Sequence, residues 1–192
     1  MYLRSGNFDN ERNQRWVTAS VGLERIETFM IPTVQGLGLL DCKLLPEDAR
    51  YERLSVEEQG TIKESVMLTE RFMLSSLWVM GAYELVRTLD ERHKNDDIFV
   101  VGEVAERVHA LKIGMARLRM PLAKMAPATK HKATDYPIPR PYIMPGYGVA
   151  WRVSDDKLIS RRWLSDGLLG LLELIRMDTQ LQAQQRYSAD AP

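Results

Sequence analysis

The chain has 192 residues, which is enough for one domain with a substantial core, and 45% of them are hydrophobic and 27% charged. This composition is typical of globular proteins and excludes disordered or collagen-like chains. The formal net charge is zero, from 26 basic and 26 acidic residues, which argues against a generally basic nucleic-acid-binding protein.

The amino-terminal quarter predicts one helix followed by a loop. Residues 1–15 are polar and contain no apolar segment, so we expect no secretory signal. Apolar residues spaced by three and four predict an amphipathic helix over 12–30. Residues 35–54 are predicted to be loop or short irregular structure. Three helix-breaking residues predict the end of that first helix: Pro32, Gly36 and Gly38.

Cys42, the chain's single cysteine, lies in this predicted loop. One cysteine excludes an internal disulfide and favours the reducing cytoplasm. No pair of the CxxC type and no cluster of Cys and His indicates a metal site, and no cofactor is predicted. We therefore expect Cys42 to be a buried, unreactive thiol.

A long antiparallel helical hairpin is predicted at the centre of the chain, over about 56–93 and 97–124. Ser55 is the predicted N-cap of the first helix. Residues 72–83 are apolar or small all round, which indicates a helix buried on several sides and too short to span a membrane. A heptad pattern marks the second helix: Val101, Val104, Val108, Leu111, Met115, Leu118 and Leu122.

The short connection predicted between these helices sets their register. If the turn centres near Asn95, residues whose numbers sum to about 190 face each other. Glu84 is then predicted to lie opposite Glu106 and Arg107, and Glu70 opposite Arg119. An arginine on the second helix is thus expected to compensate each partly buried carboxylate.

The last third predicts a proline-rich loop over 121–147, a β-hairpin near 148–162 and a final helix with an apolar stripe. Residues 182–192 are predicted to be a disordered tail, and 1–181 a single helical domain. The predicted fold class is mainly α, with flanking helices and a small β-hairpin. The stripe of the final helix consists of Leu168, Leu171, Leu172 and Ile175.

The zero net charge conceals a segregation of charge. Residues 112–162 hold eleven basic and three acidic residues, a local excess of +8 that the remainder of the chain balances. Cations and aromatic rings alternate there, so nucleic acid or an acidic protein is a candidate partner. The alternative is that the acidic remainder of the chain neutralises this basic segment, either within one chain or across a homodimer. The candidate polyanion-binding residues are Lys112, Arg117, Arg119, Lys124, Lys130, His131, Lys132, Arg140, Tyr142, Trp151, Arg161 and Arg162.

Sequence motifs for common catalytic sites are missing: the sequence has no Walker A, GxGxxG, HExxH, GxSxG or EF-hand pattern. Arg87 and His93, with five residues between them, resemble in spacing the arginine-to-histidine signature of the HEPN superfamily, helical domains that include metal-independent ribonucleases. The resemblance implies a dimer in which Arg87 stabilises charge on the scissile phosphate and His93 transfers protons. Glu84 is a further catalytic candidate. Thr88 stands where that family usually has Asn, Asp or His.

Simpler roles remain open for these residues, since Arg87 can pair with Glu84 or Glu91 on its own helix and His93 can cap a helix end. A third hypothesis is a small-ligand pocket between helices, lined by Trp78, Tyr83 and several methionines. The leading hypothesis is a non-enzymatic, cytoplasmic, homodimeric interaction module that acts through its basic, Pro/Tyr-rich segment.

Overall fold

The computed structural model describes residues 8–95 and 102–189, with side chains up to residue 180. The fold is mainly α with a small antiparallel sheet, which confirms the predicted fold class. The α-helices of the described residues are α1 (Asn10–Ser20), α2 (Glu24–Glu27), α3 (Ile31–Glu52), α4 (Val56–Gln59), α5 (Ile62–Lys94), α6 (Glu103–Lys124) and α7 (Arg161–Ala189). The strands are β1 (Arg140–Met144), β2 (Gly148–Arg152) and β3 (Leu158–Ser160).

The predicted loop over 35–54 is wrong, because those residues belong almost entirely to α3. Pro32 lies in the first turn of α3, where a missing N–H removes no helical hydrogen bond. Gly38 faces Trp16 of α1 so closely that a Cβ atom would lie 2.5 Å from the indole. This glycine therefore permits close helix packing and does not end a helix.

Pro46 lies inside α3, and the carbonyl that it leaves without a helical donor is satisfied from outside the helix. A proline at this position cannot donate to the carbonyl four residues earlier, which belongs to Cys42. The backbone N–H of Asp9 donates to that carbonyl at 3.2 Å. Asp9 also caps α1 through a side-chain hydrogen bond from the Arg12 N–H, so the start of α1 is tied to the middle of α3.

The central hairpin forms as predicted, but with a different start and register. Ser55 does cap a helix, through a capping box with Glu58, yet that helix is the short α4, and Thr61 then caps α5. Since α6 begins at Glu103 and not near residue 97, the partners across the hairpin shift. Glu84 pairs with Arg119, and Glu106 and Arg107 are not its partners.

A shared apolar core joins α1, α3, α5, α6, α7 and the sheet. Trp16 and Trp78 are completely buried in it, and the predicted stripe of α7 is buried as well. Residues 72–83 are buried on several sides, against α3, α6 and β2, as predicted. One side of this helix is open, because Met73 and Leu77 are 61% and 50% exposed. Within the described ranges, no helix combines the length and the apolarity that crossing a membrane requires.

The sheet has the order β1-β2-β3 with antiparallel pairing throughout. The predicted hairpin near 148–162 corresponds to β2 and β3. Strand β1 was missed because it lies within the predicted proline-rich loop; Pro141 is tolerated there since β1 is an edge strand. Helix α7 runs to Ala189, so residues 182–189, predicted to be a disordered tail, are helical, and residues 190–192 lie outside the described residues.

Candidate polyanion-binding surface

The β1–β2 hairpin carries two arginines side by side on one face. Arg140 and Arg152 are direct partners in the antiparallel register. The Arg140 guanidinium lies 4.1 Å from the centroid of the Tyr136 ring, and that of Arg152 lies 5.8 Å from the Tyr142 ring. We call these four residues the Arg-Tyr face. Each guanidinium thus packs against an aromatic ring, and neither donates a hydrogen bond to a described residue. Arg140 is exposed and Arg152 is half-buried.

Backbone geometry places Tyr136 beside the sheet. Its N–H donates to the Val153 carbonyl at 2.8 Å, just beyond the end of β2, and its hydroxyl donates to Asp155. That hydrogen bond is the main reason that the pKa of the Tyr136 hydroxyl is raised above its ordinary value. The prolines at 137 and 139 favour extended backbone, which carries the chain from Tyr136 into β1.

The Arg-Tyr face is electrostatically unusual. Like charges placed directly opposite on neighbouring strands destabilise a sheet. Neither Arg140 nor Arg152 has a carboxylate within ion-pair distance among the residues described by the structure. The Asp155 carboxylate lies nearby, where it accepts a hydrogen bond from the Tyr136 hydroxyl. Two adjacent guanidinium groups that make no ion pair with a described residue form a place where an anion would relieve repulsion.

Further cations precede this face along the chain. Lys124, Lys130 and Lys132 are exposed and have no ion pair within the described part of the chain, while His131 is half-buried in a 3₁₀ turn. Asp135 holds this segment against α6, because it accepts two hydrogen bonds from Arg117 at 2.7 and 2.8 Å. That pairing lowers the pKa of the Asp135 carboxyl.

Several residues predicted to bind a polyanion are neutralised inside the fold. Lys112 binds Asp90, Arg117 binds Asp135 and Arg119 binds Glu84. Arg162 is exposed, donates to the Gly146 carbonyl and lies 3.8 Å from Asp166. These four cations therefore have acidic partners within the chain, as the alternative of internal neutralisation predicts.

Trp151 and Arg161 cannot contact an external polyanion, which corrects their assignment to that surface. Trp151 is 2% exposed because its side chain points to the core side of the central strand, against Phe72. Arg161 is completely buried at the start of α7. Its charge is used in the interior.

Arg161 belongs to a set of charged residues, all buried except the partly exposed Arg12, that we call the core ion cluster: Arg12, Asp41, Asp48, Arg71 and Arg161. Asp41 is completely buried and accepts from Arg161 at 2.5 Å, from Arg12 at 2.6 Å and from the Trp16 indole at 3.2 Å. Three donors on one carboxylate compensate much of its desolvation. The cluster thereby connects α1, α3 and α7.

Asp48 extends the cluster to the sheet and to α5. It accepts from Arg161 at 3.0 Å and from the Val149 N–H at 3.4 Å, and lies 3.6 Å from Arg71. Burial outweighs these contacts and raises the pKa of the Asp48 carboxyl. Gly148 makes the approach possible, because a Cβ there would lie 2.5 Å from the Asp48 Cβ and Cγ atoms.

The core ion cluster was not predicted from the sequence. Its signal was the seven-residue spacing of Asp41 and Asp48, which places both carboxylates on one face of a helix. That signal could not be used while residues 35–54 were interpreted as a loop. The large sequence separation of Asp41 from Arg161 gives no local pattern at all.

A second charged cluster closes the hairpin between α5 and α6. Asp90 is 2% exposed and accepts hydrogen bonds from Lys94, His109 and Lys112. Burial disfavours the charged carboxylate, but these three donors prevail and hold the pKa of Asp90 well below its ordinary value. His109 is thus a partner of a buried acid.

The candidate ribonuclease residues do not converge within the chain. Arg87 binds Glu84 at 2.7 Å and Glu91 at 2.5 Å, as the simpler interpretation predicts. His93 lies six residues further along the same helix, so its side chain points about 120° away. Its Nδ1 atom is buried without a hydrogen-bond partner within the described residues.

The predicted ligand-pocket residues are mostly part of the core. The Trp78 indole is completely buried and donates to the Leu37 carbonyl at 2.9 Å. Tyr83 lies beneath the Arg119 guanidinium. Met115 is buried, whereas Met73 faces solvent. The small-ligand hypothesis stays a prediction.

Comparison with known proteins gives no match to any protein-family model, curated protein or solved structure.

Proposed function

We propose that this protein is a non-enzymatic binding module that engages a polyanion through the Arg-Tyr face. The observation that carries the proposal is the direct cross-strand pairing of Arg140 with Arg152, both lacking an acidic partner among the described residues. Natural sheets avoid such a pair unless something compensates it. The exposed Lys124, Lys130 and Lys132 would add longer-range attraction.

Retention on a heparin column tests this proposal. The double variant Arg140→Gln, Arg152→Gln is expected to elute at clearly lower salt than the wild type, because contacts with anionic groups release counterions in proportion to their number. The matched control is Arg15→Gln, Arg107→Gln, which removes two exposed arginines that pair with acids elsewhere. An unretained wild-type protein, or equal shifts for both double variants, would contradict the proposal.

The homodimer is the second part of the proposal. Helix α5 exposes a line of apolar side chains, the α5 stripe: Ile62, Val66, Met73 and Leu77. In an antiparallel two-fold pairing of α5 with a second copy, Ile62 would meet Leu77 and Val66 would meet Met73. The stripe is therefore its own apolar complement, as an isologous interface requires.

Sedimentation at micromolar concentration tests the dimer. The wild type is expected to sediment as a dimer and Val66→Asp as a monomer, because the new charge would be buried at the interface. Val21→Asp is the control, since Val21 is equally exposed, at 52%, on another element. A strictly monomeric wild type would overturn this part alone.

A cytoplasmic location completes the proposal. Cys42 is completely buried, and burial raises the pKa of its thiol to about 12, so the group is protected as an unreactive thiol. This is compatible with a reducing compartment, and fractionation of cells that produce the protein tests it. The ribonuclease hypothesis stays a prediction; its test is metal-free incubation with RNA, in which His93→Ala must abolish cutting.

A further inference from the structure

We infer that the polyanion bound by the Arg-Tyr face is a single-stranded nucleic acid, with Tyr142 as the surface on which a base stacks. This inference rests on the proposed function and names its ligand. Tyr142 projects from edge strand β1 beside the two unpaired arginines and is 40% exposed. A ring this exposed can accept a base, whereas a duplex keeps its bases stacked on each other.

The composition of the face separates a nucleic acid from an acidic peptide. A peptide rich in Asp and Glu needs cations, but gains nothing specific from aromatic rings. Here each arginine is combined with a tyrosine, and the face thus presents charge for phosphates together with π surfaces for bases. Both rings are contacted by a guanidinium, which holds them in place before a ligand binds.

The position of the face on the sheet supports the same ligand. Strand β1 is an edge strand, and Pro141 lies within it, so addition of a peptide strand by backbone hydrogen bonds is restricted there. Side chains must then make the contacts. Stacking and phosphate pairing are side-chain interactions of this type.

The test measures fluorescence anisotropy of the full-length protein with a labelled 20-nucleotide oligo(dT), a 20-base-pair duplex and a poly-glutamate peptide. Tyr142→Leu is expected to weaken oligo(dT) binding by about five- to a hundredfold. The slope of affinity against salt should stay unchanged, because the slope reports phosphate contacts and not stacking.

Tyr147→Leu is the matched control, since Tyr147 is 39% exposed but packs against Trp163 at the other end of the hairpin. It is expected to bind oligo(dT) within about twofold of the wild type. Tyr142→Phe keeps the ring and should retain the affinity. Photocrosslinking of a 5-iodouracil oligonucleotide to the wild type, located by mass spectrometry, is expected to label Tyr142 and does not depend on how any variant folds.

The possible failures are distinguishable. If poly-glutamate or the duplex binds as tightly as oligo(dT), or if Tyr142→Leu leaves oligo(dT) affinity unchanged, the inference of a single-stranded nucleic acid is overturned while the polyanion proposal stands. Crosslinking confined to residues outside the Arg-Tyr face has the same meaning. If heparin, oligo(dT) and poly-glutamate all fail to bind, the proposed function fails with it.

Discussion

Arg152 and Arg161 stand nine residues apart in the sequence, yet the fold gives their charges opposite roles. Arg161 is completely buried and shared by Asp41 and Asp48 in the core ion cluster. Arg152 lies on the Arg-Tyr face with a tyrosine ring for a partner and no described acid. A buried guanidinium must be paired because desolvation is costly, whereas one that still reaches solvent, such as that of half-buried Arg152, can remain free to bind. The +8 excess of residues 112–162 therefore includes both charges that are paired in the interior and charges that remain available at the surface.

The largest expected loss of stability comes from disrupting the core ion cluster. Arg161→Met leaves Asp41 and Asp48 short of a counter-charge in the interior, and should lower the free energy of unfolding by about 3–5 kcal/mol. Urea denaturation measures it. Arg162→Met, the exposed neighbour, should change the free energy by less than about 0.5 kcal/mol. Equal effects of the two variants would show that the cluster contributes no special stability.

Gly148→Ala should have the next largest effect, a loss of about 2–4 kcal/mol. Gly148 has φ +67°, and an added Cβ would collide with Asp48. Gly146→Ala is the control, because φ is +73° there but the space around it is open. It should cost about 1 kcal/mol, the strain of a left-handed residue alone. The difference between their thermal midpoints measures how tightly the sheet packs on the cluster, and no difference would contradict that packing.

The expected effect of a change at Asp90 is intermediate in size, because Asp90 is buried but its cationic partners are partly exposed. Its lowered pKa means that the carboxylate stabilises the fold at neutral pH and that this contribution is lost as the pH falls below about 4. Asp90→Asn should lose about 2 kcal/mol at pH 7 and show a weaker loss of stability in acid than the wild type. Urea denaturation between pH 3 and 7 measures both. The control Glu91→Gln should retain the wild-type acid profile; a parallel pH profile for Asp90→Asn would contradict the assignment.

The smallest effect on stability should come from the Arg-Tyr face. Arg140→Gln, Arg152→Gln should change the free energy of unfolding by no more than about 0.5 kcal/mol, with a gain favoured because the like-charge pair is relieved. Thermal denaturation at low salt measures it. A large loss of stability would show that these arginines hold the sheet together, and would weaken their assignment as ligand-binding groups.

The sequence patterns were sufficient where local periodicity coincides with burial. The apolar stripe of α7 predicted a buried face correctly, and so did the heptad pattern of α6 from Val104 to Leu122, whereas Val101 lies outside the described residues. The hairpin of β2 and β3 was also predicted. The register of α5 against α6 was wrong because it depends on the length of the connection. Moving the start of α6 from about residue 97 to Glu103 changes every cross-helix pair.

The larger error concerned α3, where glycine and proline have tertiary uses. Gly38 accommodates Trp16, and Pro46 leaves a carbonyl that Asp9 satisfies. No local rule reveals either partner. The candidate surface was only partly predictable for the same reason: Arg140 and Tyr142 were identified, but Arg152 and Tyr136 enter it through strand pairing and a long-range backbone contact.

The β1–β2 turn is held by α3, and this bears on the cost of binding. The Glu52 carboxylate accepts the N–H groups of Gly146 and Gly148 at 3.0 and 3.1 Å, and Asp48 accepts that of Val149. Fixing a flexible backbone costs about 1–2 kcal/mol of conformational entropy per residue. Here that entropy is lost during folding, so a ligand that meets the far end of the hairpin finds a preorganised platform and retains more of its contact energy as affinity.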